Sequence, residues 1–402
     1  MARTTRTLFT LEAFQADHGD ALLLHFGPPS KPKWILIDGG PKPNVYVDTI
    51  KPRLESLRER FCAEGIPLPL EMVMVSHIDD DHIVGIQSLF KDLRDCDDDS
   101  IARPWNVKTL WFNSFDEILG NDDDEIFSEL TARVVTAGAD SPLPGFRAPD
   151  PYAAAVIATV PKARQLRAAA EGLSIPLNQG FAGLVMAGET SARRVRMPHG
   201  LTLTVLAPHE ARIRKLRTAW EDALRRQPDV EALARIAANS DTSVANLASI
   251  VVLAELRGKR MLLTGDGRGD DILKGLEDAG LVGEDETFKV DLLKLPHHGS
   301  DRNVTREFFE RIPADHYLIS ANGANNNPDI DVLEMIEAAR ADTDDFTIHL
   351  TNRSGKLDLE TKLDRFLQAK AARRREYRVV FREDLGANTR AMSVNLLGAL
   401  QF

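Results

Sequence analysis

Cysteine is scarce in this chain: its 402 residues include only Cys62 and Cys96. Two isolated thiols exclude a disulfide framework and a thiolate metal cluster, and they favour a reducing compartment. Long apolar runs are missing as well, because the longest, at residues 247–254, is far shorter than the ~20 residues of a membrane span. The basic start of the chain meets Glu12 too soon for the apolar core of a signal peptide. We therefore expect a cytoplasmic protein with no membrane partner.

An excess of basic charge is also missing. The chain has 61 acidic residues against 50 lysines and arginines, which gives a net charge of −11. Proteins that coat nucleic acid are usually basic, because neutralised phosphates supply most of that affinity. This charge argues against a nucleic-acid coat protein but leaves room for a nuclease with a local basic patch. The length allows one large α/β domain with insertions, or two domains.

The chain is organised around residues 73–85. An apolar run at residues 73–75 reads as a buried strand, and His77, Asp79–Asp81 and His82 follow it directly. Adjacent carboxylates repel one another unless they are solvated or neutralised by a cation. Imidazole and carboxylate together form a ligand set for Zn²⁺, Mn²⁺ or Fe²⁺. The alternative, an acidic solvated turn, leaves the two flanking histidines unexplained.

Two further strand ends carry ligand-type residues. Residues 261–264 read as a strand that ends in Gly265-Asp266, and a second apolar run ends in Pro296-His297-His298-Gly299-Ser300. One carboxylate can bridge two metals, since each of its oxygens can bind one ion. Adjacent histidines on a loop point in different directions. We expect His298 to bind metal and His297 to serve substrate or a neighbouring ligand.

These motifs resemble those of the metallo-β-lactamase fold. His77-x-Asp79-x-Asp81-His82 is similar to its first motif, His-x-His-x-Asp-His, and Asp at the third place is typical of the competence-type (ComEC-like) branch. That branch includes the DNA-uptake nuclease domain and is related to the phosphorylcholine esterase domain. Ile37-Asp38-Gly39-Gly40 and Thr264-Gly265-Asp266 resemble two more family segments, in the right order. The glycines after Asp38 are expected to let the backbone approach the metal centre.

The sequence departs from the family pattern at three places. Asp17-His18-Gly19-Asp20-Ala21 lacks the first glycine of the family's Gly-x-Gly-Asp-Ala, and Asn327-Pro328 stands where the family often has His-Pro. Residues 239–249, where most members supply a third histidine, contain none. Any metal site formed with His77 and Asp79 is therefore expected to be open or water-filled.

The resemblance implies an α/β fold, an αββα metallo-β-lactamase sandwich that forms a single domain over residues 1–402. Helical insertions are expected at about 113–183 and 209–238, where they would serve as lids or as surfaces for a protein partner. We also predict helices at 45–62, 84–93 and 362–375. Residues 378–382 and 391–397 are expected to form a closing pair of strands. The basic helix 362–375 reads either as a solvated face or as a phosphate-binding patch.

The implied function is a hydrolase that uses two divalent ions (Zn or Mn) and a metal-bridged water as nucleophile. The expected metal ligands are His77, Asp79, Asp81, His82, Asp266 and His298, with Asp81 and His297 as catalytic residues. The expected substrate is a phosphodiester: nucleic acid, a nucleotide or a phosphorylated small molecule. Two alternatives stay open, because fold does not determine substrate. One is an ester, lactone or amide hydrolase, and the other is an effector subunit active only in a complex.

Overall fold

The computed structural model describes residues 6–114, 117–118, 151–189, 191–214, 218, 248–386 and 388–398. Much of both predicted helical insertions lies outside these ranges. Within them, residues 151–172 form one helix, and a second helix begins at residue 210. No helix in the described ranges is both long enough and apolar enough to span a bilayer.

The first sheet has seven strands, drawn from both ends of the chain. They are β1 (Leu8–Phe14), β2 (Leu22–Gly27), β3 (Lys33–Ile37), β4 (Leu68–Met74), β5 (Trp105–Val107), β6 (Leu110–Trp111) and β15 (Ala391–Asn395). β1, β2 and β3 pair antiparallel, whereas β4 runs parallel to β3, β5 and β6. The metal-motif strand β4 is therefore internal, with covered faces and neighbours on both sides.

The second sheet has eight strands in reverse chain order. They are β7 (Arg193–Arg196), β8 (Thr202–Ala207), β9 (Val251–Leu256), β10 (Lys259–Leu263), β11 (Val290–Lys294), β12 (Ala314–Ile319), β13 (Thr347–Leu350) and β14 (Arg378–Phe381). β7 to β10 pair antiparallel, and β10 to β14 run parallel. The ends of β10 and β11 therefore open at the same edge of the sheet, where parallel strands commonly place functional loops.

Helices connect the strands. They are α1 (Lys51–Phe61), α2 (Asp80–Asp98), α3 (Pro151–Gly172), α4 (Gly269–Asp278), α5 (Arg306–Arg311), α6 (Ile330–Ala338) and α7 (Leu359–Ala372). A helical turn and a π-helical turn, Tyr46–Ile50, lead directly into α1. The helices predicted at 45–62 and 362–375 are thus present.

Three apolar clusters define the layers. The first packs one face of the first sheet against α1, α2 and α3, and the second packs the second sheet against α4 to α7. The third contains side chains from both sheets, such as Leu24 and Met72 from the first and Met261 and Leu292 from the second. The sheets therefore face each other with helices outside, and the predicted mixed α/β architecture is confirmed.

The predicted closing pair of strands is wrong. β15 pairs with β1 in the first sheet, whereas β14 pairs with β13 in the second. Between them the buried Arg382 guanidinium donates to the carbonyls of Thr351 and Thr389. Strand propensity identifies both segments, but the choice of partner depends on contacts with residues far along the chain.

Glycines allow α2 to lie against the loop after β3. The Gly39 amide donates to the His82 carbonyl at 2.7 Å, and the Gly85 amide donates to the Gly40 carbonyl at 3.2 Å. A Cβ on Gly85 would lie 1.9 Å from the Gly39 carbonyl oxygen. Gly39 and Gly85 therefore allow the loop after β3 to lie against α2. The expected approach of the glycines after Asp38 to the metal centre stays a prediction.

Gly85→Ala is expected to destabilise the protein by about 1–3 kcal/mol, because the added methyl group must displace the backbone atoms of Gly39. Gly172→Ala is the matched control, since a methyl added there, at the end of α3, would have no atom within 4 Å. Alanine is the better helix former, so the control should be neutral or slightly stabilising. Urea unfolding of both variants measures the difference, and equal stabilities would contradict this account.

Candidate metal centre

The first metal motif lies where β4 passes into α2. His77 follows β4, and Asp79 is the N-cap residue of α2, so Asp81 and His82 belong to the first helical turn. The sequence placed this cluster in a loop, with the helix beginning only at residue 84. The earlier helix start turns Asp80 outward, where it pairs with Lys162 at 2.6 Å. Only two of the three consecutive aspartates therefore face the centre.

The second sheet supplies the opposite side. Asp266 follows β10 and is buried, and its amide donates to the Ser249 hydroxyl at 3.0 Å. His297 and His298 follow β11. All six predicted ligands and His297 are thus brought together, from two different sheets.

Four ligand atoms form one compact group. Asp266 Oδ1 lies 3.4 Å from His82 Nε2 and 3.7 Å from His298 Nε2. Asp81 Oδ2 lies 3.3 Å from His298 Nε2, and all four residues offer atoms within 4.8 Å of one another. Ligand atoms about 2.1 Å from a common ion at tetrahedral angles are about 3.4 Å apart. The group therefore has the spacing of a metal site.

The other oxygen of Asp266 faces a second group. Asp266 Oδ2 lies 3.6 Å from His77 Nε2 and 3.6 Å from His297 Nε2. Asp79 Oδ2 lies 3.7 Å from His77 Nε2. One carboxylate thus separates two sets of imidazoles, an arrangement that suits a bridging ligand.

Five of these side chains bury atoms that have no hydrogen-bond partner among the described residues. They are His77 Nε2, Asp79 Oδ1, His82 Nε2, Asp266 Oδ1 and His298 Nε2. A buried polar atom without a partner costs about 1–3 kcal/mol. A divalent cation would satisfy such atoms, and the group of Asp81, His82, Asp266 and His298 has the spacing to hold one.

Outer contacts orient the imidazoles. His82 Nδ1 lies 2.9 Å from Asp38 Oδ2, and Asp38 is itself held by the amide and hydroxyl of Ser76 at 2.7 and 2.8 Å. His298 Nδ1 lies 2.9 Å from the Ser320 carbonyl. When Nδ1 carries the proton, Nε2 presents its lone pair to the centre. The sequence identified Asp38 only as part of a turn and missed this role.

A buried ion pair lies behind the centre. Asp20 and Lys294 are fully buried and form an ion pair, and Asp20 Oδ1 is 3.6 Å from His298 Nδ1. Burial would raise the pKa of Asp20, but the charge of Lys294 outweighs it and lowers that pKa to about 2. The lysine within the apolar run of β11 was the available sequence signal, because lysine is almost never fully buried unless paired.

The remaining candidate histidines are accounted for. His25 is buried and bonded to Glu12 at 2.8 Å and to the Trp34 indole, so its contacts are structural. His18 is half-buried and lies close enough to Asp81 to interact with its charge. Asn327 donates to the His297 carbonyl at 3.2 Å, so it supports the histidine loop.

The electrostatics of the centre are those of a site with an excess of negative charge. Burial would lower the pKa of His298, but Asp266 and Asp20 raise it to about 10. The pKa of His82 is raised for the same kind of reason, against burial. Burial, together with Asp81 and Asp266, raises the pKa of Asp79 to about 8. These shifts have a common cause in the crowded carboxylates, which divalent ions would neutralise.

Comparison with known proteins identifies no family for this chain. No family model and no curated protein matches the sequence. A similar solved structure is a Parabacteroides distasonis ATCC 8503 protein provisionally assigned as a metal-dependent hydrolase, with TM-score 0.32 and 9% identity over 93% of each chain. Another is an Enterococcus faecalis V583 protein of unknown function, with TM-score 0.27 and 10% identity over 93% of this chain and 88% of that one. Scores this low establish neither a shared fold nor a shared activity.

Metal binding is expected to release protons. The pKa values of His82 and His298 are raised, which favours their protonated forms, yet each must be neutral to bind an ion. Affinity should therefore rise with pH, by about tenfold per unit for each proton displaced. Calorimetry in two buffers of different ionisation enthalpy measures the protons, and elemental analysis should find about two ions per chain. No bound metal after reconstitution with Mn²⁺ and with Zn²⁺ would rule out the metal centre.

Asp38→Ala is expected to weaken metal binding about 10–100-fold, because it removes the carboxylate that orients His82. Glu12→Ala is the matched control, since Glu12 and His25 form a buried pair of similar length that contacts Trp34 and Arg53. Both variants should lose stability, and only Asp38→Ala should lose metal affinity. Metal titration beside thermal unfolding separates the two effects, and equal losses of affinity would contradict the assigned role.

Proposed function

We propose that this protein is a metal-dependent phosphodiesterase of the metallo-β-lactamase fold, in its competence-type branch, formed by one domain over residues 1–402. The position of Asp266 is the observation that supports it most. Its two oxygens face separate groups of imidazoles, with the shortest distances 3.4 and 3.6 Å. Two-metal hydrolases use such a shared carboxylate to hold two ions over one substrate.

The residues divide into a buried wall and an open side. The imidazoles of His77, His82 and His298 are essentially buried, whereas Asp79, Asp81 and His297 are 19%, 20% and 25% exposed. Within the described residues, these three side chains form the open side of the centre. The catalytic roles predicted for Asp81 and His297 are compatible with this open side.

Two divalent ions bound here would supply an activated water and a Lewis acid for the developing negative charge. The side chains of the protein position the reacting groups. Asp81 has one oxygen 3.7 Å from His82 Nε2 and the other 3.3 Å from His298 Nε2, so its carboxylate is held at both ends. From this fixed position on the open side, Asp81 orients the attacking water toward the substrate. The carboxylate-rich, thiolate-free donor set leaves Mn²⁺ competitive with Zn²⁺.

A small phosphodiester is favoured over nucleic acid. At the end of α7 and just after it, Arg373 binds Glu337 through two bonds of 2.8 Å, Arg375 pairs with Asp342 at 2.8 Å, and Lys370 donates to the Arg375 carbonyl. These cations are occupied by contacts within the fold, which supports the solvated-face interpretation of that helix. The net charge of −11 also favours a small substrate over nucleic acid. A nuclease activity would need another basic surface.

Asp266→Ala is expected to abolish hydrolysis, by about a thousandfold or more, while the fold persists. The substitution removes the carboxylate that contacts both groups of imidazoles. Asp80→Ala is the matched control, because Asp80 lies in the same motif but faces Lys162 at the surface. Rates with bis-p-nitrophenyl phosphate, plasmid, single-stranded DNA and a lactone, each with Mn²⁺ or Zn²⁺, give the measurement.

The substrate panel also separates the alternatives. Turnover of the lactone without the diester would favour the ester, lactone or amide hydrolase and overturn the phosphodiesterase. Near-normal turnover by Asp266→Ala would show that Asp266 is not the bridging ligand. The partner-assembled alternative depends on residues 209–238, most of which lie outside the described ranges.

A further inference from the structure

We propose that His18 and Lys356 form an anion-binding subsite beside the metal centre, where they hold a terminal phosphate of the substrate. The substrate class is then a phosphodiester that carries a second phosphate group close to the scissile one. The inference rests on the proposed function, because it concerns what the same centre hydrolyses. Neither residue belongs to the expected metal ligands.

The loop that carries His18 lies directly against the first metal motif. The Asp20 amide donates to the Asp81 carbonyl at 3.1 Å, and a Cβ on Gly19 would lie 1.9 Å from the same oxygen. The imidazole of His18 is half-buried and close enough to Asp81 and His298 to interact with their charges. His18 therefore borders the centre on the side where Asp81 is partly exposed.

A second loop brings Lys356 to the same place. The Lys356 amide donates to the Asn322 carbonyl at 2.7 Å, and the side-chain amide of Asn322 donates to Asp17 Oδ1 at 3.2 Å. Burial lowers the pKa of His18, and the positive charge of Lys356 acts in the same direction. The lysine charge therefore lies within electrostatic range of the imidazole, although the two residues are far apart in the chain.

The backbone that carries Lys356 is closely held. A Cβ on Gly355 would lie 1.9 Å from the Asn322 carbonyl oxygen, and a Cβ on Gly323 would lie 2.0 Å from the Lys356 carbonyl oxygen. The two residues after Lys356 have φ values of 47° and 56°, in the left-handed region. Such strain is concentrated at functional sites, where surrounding contacts maintain it. The exposed lysine side chain thus extends from a fixed position next to the His18 loop.

The charges of His18 and Lys356 are not neutralised by close partners. The neighbouring Lys42 pairs with Asp17 at 2.5 Å, so that cation is occupied. Among the described residues, neither His18 nor Lys356 has a side-chain hydrogen bond or an ion pair. An ammonium group and an imidazole N–H that lie near each other suit the oxygens of a phosphate.

The overall charge of the protein makes such a subsite useful. A net charge of −11 repels a substrate that carries several negative charges. Local cations beside the reacting group offset this repulsion, and they favour a substrate with a second phosphate over one without it. The subsite would therefore set specificity without taking part in the hydrolysis.

The test compares two p-nitrophenyl esters of thymidine 5′-phosphate, one with a free 3′-hydroxyl and one with a 3′-phosphate. Both contain the same scissile diester, and only the second carries a further phosphate. The KM of the wild type is expected to be about tenfold lower for the phosphorylated ester, because charge-assisted hydrogen bonds hold the added group.

Lys356→Glu and His18→Ala are expected to remove most of this preference, mainly through KM, and Lys356→Arg should keep it. Both loss variants should still bind about two metal ions per chain, since neither residue is a ligand. Lys31→Glu is the matched control, because Lys31 is an exposed lysine in the turn between β2 and β3, at the opposite end of the first sheet. It makes the same change of charge and should keep the preference.

Each outcome has a separate meaning. Equal KM values for the two esters in the wild type would overturn the inference while the phosphodiesterase stands. A preference that survives both Lys356→Glu and His18→Ala would also overturn it. If Lys356→Glu does not fold, Lys356→Ala makes the same comparison.

Hydrolysis of neither ester, with Mn²⁺ or Zn²⁺, would overturn the proposed function. The subsite is then tested by binding alone, with calorimetric titration of thymidine 3′,5′-bisphosphate and of thymidine 5′-phosphate into the metal-loaded protein. The bisphosphate should bind more tightly to the wild type and lose that advantage in Lys356→Glu. Equal affinities for the two nucleotides would overturn the inference.

Discussion

The metal centre depends on one buried carboxylate, that of Asp266. Asp266 lies among four imidazoles, and each of its oxygens is 3.4 to 3.7 Å from two of them. At these distances the groups are too far apart for strong hydrogen bonds and too buried to be hydrated, so they leave a space that a cation suits. The high pKa of His298 and the low pKa of Asp266 have this common cause.

This arrangement couples the two sheets. The first metal motif follows β4 of the first sheet, and the remaining ligands follow β10 and β11 of the second. Backbone contacts cross at the same place, where the Ile250 amide donates to the Ser76 carbonyl at 2.8 Å. The Ser320 hydroxyl likewise donates to the Gly19 carbonyl at 2.7 Å. The site therefore exists only when both sheets are packed, and metal that binds the folded state should stabilise that packing.

Charge is balanced in layers around the centre. Asp38 and Asp20 approach the outer nitrogens of His82 and His298, and Lys294 in turn neutralises Asp20. An uncompensated buried carboxylate would be expensive, and the charge of Lys294 keeps that of Asp20 ionised by lowering its pKa against burial. Among the described residues of the centre, Asp79, Asp81 and His297 are the side chains that are partly exposed.

The sequence by itself determined which chemical groups are available and that they follow buried strands, because strand pattern and ligand type are local properties. From it came the α/β class, most strand positions and the six ligand candidates. Only the tertiary structure decided that Asp80 faces outward, that Asp38 and Asp20 support the histidines, and that β14 and β15 join different sheets. It also placed His297 at the second oxygen of Asp266. These outcomes depend on distances between atoms far apart in the chain, which are established by the packing of two sheets.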